Sequence, residues 1–142
     1  MARHARNAAN KDSPGYLYAL HNESFREGIF KIGRTGRTIG AHLRSQQLYT
    51  TAVPTPFEVV MASLVPTHMY AERAAHALLE AYRVNPRREF FDLRTRDIGE
   101  RMLQKIFKKI RALCRWRLLV NGVTTESVRH KLQASLRGEK RI

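Results

Sequence analysis

The chain has 142 residues, with 26 lysines and arginines against 12 acidic residues, a formal net charge of +14 and a sequence pI near 10.9. That length suits one domain with a real core rather than two, and the charge suits a polyanionic partner. A single cysteine, Cys114, excludes an internal disulfide framework and a multi-cysteine zinc site, and no apolar run approaches the roughly 20 residues that cross a bilayer, so a soluble cytoplasmic protein is expected.

Residues 1–13 hold no large apolar side chain after Met1, which predicts a disordered basic arm with nothing to bury. Pro14-Gly15 then marks the start of a folded unit. Two short runs rich in aromatic and β-branched residues follow, Tyr16 to Leu20 and Ile29 to Thr35, separated by the polar stretch His21 to Glu27; they read as a β-hairpin. Alternation puts Tyr16, Tyr18 and Leu20 on one face of the first strand, and Ile29, Lys31 and Gly33 together on one face of the second. A lysine inside an otherwise apolar strand points to a specific task. The turn Gly33-Arg34-Thr35-Gly36-Arg37-Thr38 suits phosphate through its two arginines but lacks phosphate-loop spacing.

From Thr38 the period changes, and Ile39, Leu43 and Leu48 suit a short helix that carries His42 and Arg44. Pro54 and Pro56 make a rigid connection, Phe57 to Leu64 reads as a central strand, and Thr67 is placed to cap a helix over about His68 to Arg83. Ala71, Ala74, Ala75, Leu78 and Ala81 form its expected apolar stripe, while Glu72, His76, Leu79 and Arg83 form a second. Glu89 to Leu93 is a short strand or extended segment, with Glu89 read as structural and paired with Arg88 or another arginine. A long helix over Arg96 to Trp116 presents Ile98, Met102, Ile106, Ile110 and Leu113 on one side and Arg101, Lys105, Lys108, Lys109, Arg111 and Arg115 around the rest. Such a helix can track phosphates with its basic side. Thr124 or Thr125 is placed to cap a last helix bearing Val128, Leu132 and Leu136.

Charge is unevenly spread. Residues 1–13 carry 3 basic and 1 acidic residue, residues 14–93 carry 9 and 7, and residues 94–142 carry 14 and 4. The chain is therefore divided into the arm, a compact domain over 14–93 and a basic helical extension over 94–142.

Hydrolysis of a phosphodiester needs a base for water, positive charge against the developing negative charge, and commonly a divalent metal on a carboxylate. Tyr18 can be the base if neighbouring cations offset its reference pKa of about 10. Glu72 can hold Mg²⁺, which accepts few carboxylates and keeps several waters. Arginines of the loop and first helix can grip phosphate oxygens.

Tyr16-Leu17-Tyr18, then Phe30-Lys31-Ile32-Gly33-Arg34-Thr35, an arginine-bearing helix, Glu72 with His76, and Arg88-Glu89-Phe90-Phe91 together resemble the GIY-YIG nucleases over residues 14–93. The likeness is closest to their phage and bacterial subgroup with a Lys-Ile-Gly second motif. The resemblance implies an α+β domain with a small three-stranded antiparallel sheet flanked by helices, cutting DNA with one divalent metal, Mg²⁺ or Mn²⁺, and no other cofactor. It implies Tyr18 as general base, Glu72 as metal ligand and Gly33 as the place where a side chain would crowd the substrate backbone. Tyr16 stands where the family has its first glycine, and Lys31 stands where it has a tyrosine. The catalytic arginine is Arg44 when counted back from Leu48-Tyr49-Thr50-Thr51, and the same place falls near His42 when counted forward from the second motif. His76 supports the site or touches phosphate, while Tyr16, Arg34, Arg37, His42, Lys105, Lys108, Lys109 and Arg111 are expected to contact DNA. Two rivals keep the charge without the chemistry: a binding module on the same fold that has lost catalysis, and a nucleic-acid scaffold protein.

Overall fold

A computed structural model describes residues 13–36, 38–42 and 53–120. The expected N-terminal arm up to residue 12, Arg37, Arg44 and the expected last helix lie outside the described residues, as does the side chain of His42. In chain order the elements are β1 (Gly15–His21), β2 (Ile29–Thr35), α1 (Ile39–His42), β3 (Glu58–Val65), α2 (His68–Leu78) followed by a 3-10 turn (Glu80–Tyr82), β4 (Phe90–Asp92) and α3 (Arg96–Val120). The sheet is antiparallel with spatial order β3-β1-β2-β4. Its three long strands fall where expected, but β3, read from its apolar run as a central strand, lies at the edge of the sheet beside β1 and is largely half-buried or exposed, and the short β4 adds a fourth strand beside β2. Among the described residues no helix is long and apolar enough to cross a membrane.

The hairpin is built as its alternation demands. Register pairs Tyr16 with Thr35, Tyr18 with Gly33 and Leu20 with Lys31, so these six side-chain positions share one face of the sheet. Leu17, Ala19, Phe30 and Ile32 point to the other face and join the buried core. The connection is tied by Asn22, whose side-chain oxygen accepts from the Ser24 amide (2.9 Å), the Ser24 hydroxyl (2.6 Å) and the Thr55 hydroxyl (2.6 Å), while its amide donates to the Thr55 carbonyl (2.7 Å). A fully buried asparagine satisfied in this way holds the hairpin loop to the segment before β3.

Helix α2 packs its small side chains against β1 and β2. His68, Ala71 and Ala75 are buried along it, and Leu79, its C-cap, is fully buried too. The inward line therefore ends on Leu79, whereas Leu78 is exposed, and the stripe expected to run through Leu78 and Ala81 departs from this line. The helix stops at Leu78 because the chain tightens into the 3-10 turn as Leu79 turns inward: the Leu79 amide still bonds the Ala75 carbonyl (3.0 Å), and Tyr82 then bonds Leu79 (2.9 Å). Thr67 occupies the N-cap position, yet its hydroxyl makes no cap bond and donates to Cys114 Sγ at 3.7 Å.

Helix α3 closes the core. Leu103, Phe107, Ile110 and Cys114 are its fully buried line; Ile110 was expected there, while Met102, Ile106 and Leu113 of the expected row pack at the margin. Both rows are apolar, and their spacings of three and four serve either row equally. Gly99 lies under the Phe30 ring, where a Cβ would overlap Phe30 Cε2, so the start of α3 comes close to the sheet. The helix thus belongs to the same core as the strands, and its basic residues form its outward side.

Candidate functional site

On the face of the sheet opposite α2, Tyr18 is 3% exposed and lies across from Gly33. A Cβ built on Gly33 would sit 2.5 Å from the Tyr18 hydroxyl oxygen and 2.7 Å from its Cζ. The glycine is thus required inside the chain, by the phenol that lies over it, which is a reason distinct from crowding of a substrate backbone. Substituting Gly33 by alanine is expected to push the buried Tyr18 ring aside and cost about 1–3 kcal/mol of stability, read as a lowered midpoint in thermal or urea unfolding; an unchanged midpoint would show that the ring moves freely. Lys31 stands two residues before Gly33 on the same face, beside Leu20 on β1 and Phe90 on β4.

Strand β4 covers only part of β2. Its pairing reaches Lys31, and one more bond, from the Ile32 amide to the Glu89 carbonyl (3.0 Å), ends it. From Gly33 to Thr35 no strand borders that edge of β2 among the described residues. Around this open edge the two faces meet electrostatically. Burial lowers the pKa of the Lys31 ammonium from its ordinary value, and the carboxylates of Glu89 and then Glu72 pull it back up. Burial first and the Glu89 charge second push the Glu72 carboxyl above the usual carboxylate range, against the pull of His76, Arg34 and Lys31. A lysine of β2, a glutamate of α2 and a glutamate just before β4 thus act on one another in a half-buried setting.

The other partners of Glu72 lie on the α2 side. Arg34 alternates with Lys31 and Gly33, which turns it to that side, and its Nε stands 3.5 Å from Glu72 Oε1. Its terminal nitrogen donates to His68 Nδ1 at 3.3 Å. That bond makes Nδ1 an acceptor, and burial together with the Arg34 charge holds the His68 pKa below its ordinary value. Nε2 of His68 is buried and has no hydrogen-bond partner among the described residues. Arg34 is consequently a positioned group in β2 and not a solvated loop charge. His76 donates from Nε2 to the Ile32 carbonyl at 2.8 Å and packs at 5.2 Å against the Phe91 ring, so its place is a tie between α2 and β2.

The structure therefore brings Tyr18, Lys31 and Gly33 together on one face, Glu72 and Arg34 together beside it, and His76 behind them. Tyr16 flanks Tyr18 on the same face, next to Thr35. Lys105, Lys108, Lys109 and Arg111 are exposed on α3, which packs on α2 and β3; none of the four is among the charges that act on Lys31 or Glu72. Arg111 donates to the Ser63 hydroxyl at 3.3 Å.

Two residues at the site escaped sequence reasoning. Glu89 was expected to pair with an arginine, but its charge bears on Lys31 and Glu72 instead; its position next to Phe90, which faces Lys31 across the strands, is the signal that could have found it. His68 carries no local signal, because its partner Arg34 is 34 residues away.

The Glu72 carboxyl, pushed up first by burial and then by the Glu89 charge, offers hard oxygen donors of the kind that a small divalent cation takes. Among the described residues no group of three or more histidine, cysteine, aspartate or glutamate side chains is placed to hold a metal, and a hard cation that keeps its waters needs no more than one or two carboxylates.

The family model described as T5orf172 domain matches residues 15–111. No curated protein and no solved structure matches the chain.

Proposed function

The chain belongs to the T5orf172 domain family, and from that premise we propose that it is a metal-dependent DNA endonuclease of GIY-YIG type. The domain is found in phage and bacterial proteins and is associated with GIY-YIG-like and HNH-like nuclease families, which supports a nucleic-acid-related function. The observation that carries the finer reading is the Tyr18 phenol over Gly33, on the face that holds Lys31, at the strand edge where Lys31, Glu72 and Glu89 act on one another.

In this reading Tyr18 is the general base toward the attacking water. Lys31 donates to a non-bridging phosphate oxygen; its partial burial strengthens that contact, and the two carboxylates favour its charged form. Glu72 would hold Mg²⁺ or Mn²⁺, which when bound would offset negative charge on the phosphate. Arg34, itself held by His68, positions the Glu72 carboxylate, and His76 fixes α2 against β2. Arg44 supplies a further permanent cation, with His42 as its alternative. The outward cations of α3 add sequence-neutral, salt-dependent affinity.

A second reading, a DNA-binding module without catalysis, is favoured by the Arg34–Glu72 pair, which already engages the carboxylate, and by Lys31 standing where the resembled family has tyrosine. Supercoiled plasmid separates the two. The nuclease reading expects nicked circles with Mg²⁺ or Mn²⁺ and none with EDTA; a protein that retains plasmid but never nicks it under either metal would leave only the binding module.

A further inference from the structure

Beside Lys31, on the same face of the sheet, an open pocket of about 330 Å³ is lined by Phe25, Ile29, Val84 and Phe90, with Arg26 and Arg88 at its rim. We propose that this pocket takes one unstacked nucleobase of a single-stranded or locally unpaired DNA segment, next to the phosphate held at Lys31. The proposal rests on the nucleic-acid reading of that face and adds to it a substrate form.

Four observations support it. The pocket's walls are held in place before any ligand arrives. On one side the Phe25 amide bonds the Asn22 carbonyl (3.0 Å) in the loop tied by Asn22. On the other, the Val84 amide bonds the Phe90 carbonyl (2.9 Å), Arg88 bonds Asn85 (3.0 Å), and Arg83 reaches the Arg88 carbonyl (2.9 Å) while its guanidinium lies 5.0 Å from the Phe91 ring centroid. Next, the rings of Phe25 and Phe90 stand 5.7 Å apart at 79°. They form a corner in which a flat ring can lie on one face with its edge toward the other.

The rim has the charge that a nucleotide needs. Arg88 is exposed and has no ion pair among the described residues, and exposed Arg26 makes a weak pair with half-buried Asp92 at 3.4 Å. Either guanidinium is available to a phosphate flanking the base. Finally, the reach is right. Ile29 and Lys31 point the same way two residues apart on β2, about 7 Å by strand geometry, a separation that one nucleotide spans from its phosphate to its base. A base seated against the Phe25 and Phe90 rings stacks on the protein in place of its neighbouring bases, so the pocket takes it only out of the stack. With apolar side chains as its floor, the pocket would accept any base, because stacking uses the face that all four share.

The test is a binding measurement in EDTA, so that it does not depend on cleavage. Fluorescence anisotropy compares a single-stranded oligodeoxythymidine with an abasic strand of the same length. The proposal expects the base-bearing strand to bind roughly tenfold or more tightly. Phe25→Leu, which keeps apolar bulk but removes the ring face, should erase most of that advantage and leave the abasic strand's Kd unchanged; Arg88→Gln should weaken both strands alike. Equal binding of the two strands by wild type would overturn the proposal, as would a folded Phe25→Leu protein that keeps the full advantage. Failure to bind either strand, even at low salt, would defeat the nucleic-acid reading itself.

Discussion

Tyr18→Phe will bind plasmid as the wild type does and nick it about 10²- to 10⁴-fold more slowly, the usual contribution of a positioned base. The substitution removes one oxygen and leaves the ring that fills the space over Gly33, so the packing that the glycine exists to allow is kept. Tyr18 is 3% exposed, and loss of its hydroxyl interactions is expected to cost no more than about 1–1.5 kcal/mol. The stability change and the rate change are thus separable. Unfolding midpoints report the first, and single-turnover nicking at saturating protein reports the second. Full activity in the phenylalanine protein would make Tyr18 an ordinary sheet aromatic.

Glu72→Gln will lose at least about 10³-fold in nicking while melting no lower than the wild type in EDTA. The two effects have one cause. Burial and the Glu89 charge penalise the ionised Glu72 carboxylate more than Arg34, His76 and Lys31 support it, so its pKa in the folded protein lies above the ordinary value. A group shifted in that direction contributes stability at low pH that disappears as pH rises through its folded pKa. At neutral pH the wild type therefore carries an unfavourable charge that glutamine lacks. The melting difference between the two proteins should be largest near pH 7 and shrink as the pH approaches the ordinary carboxylate range, where the wild-type carboxyl also becomes neutral. A large drop in the melting temperature of Glu72→Gln at pH 7 would mean that the Arg34 pair outweighs burial and that Glu72 is structural. Such a trade of stability for function is common where a charge is kept in a half-buried site for use.

The face that carries Tyr18, Lys31 and Gly33 was legible because strand alternation is strict and the hairpin register follows from it. The same holds for Glu72 and His76 one helical turn apart. Other features depend on pairings between distant segments. Alternation turns Arg34 away from Lys31 and Gly33, but nothing near it in the chain shows that it meets both Glu72 and His68. Glu89 looked like a partner for its neighbour Arg88, and only the placement of β4 beside Lys31 shows where its charge acts. On the helices, apolar residues occupy adjacent rows, so Leu78 and Leu79, or Met102 and Leu103, are equal candidates for the core until the packing of α2 and α3 decides between them. The reason for Gly33 was also hidden, since alternation shows that it faces outward from α2 but not that a tyrosine ring lies over it.

The most direct test of the metal-dependent nuclease reading is single-turnover nicking of one supercoiled plasmid as Mg²⁺ is raised from zero, with wild type and Glu72→Gln compared at equal fractions of bound DNA. The wild-type rate should rise and saturate with Mg²⁺, while that of Glu72→Gln should stay near background throughout. Nicking that persists in EDTA, or that proceeds equally in both proteins, would contradict it.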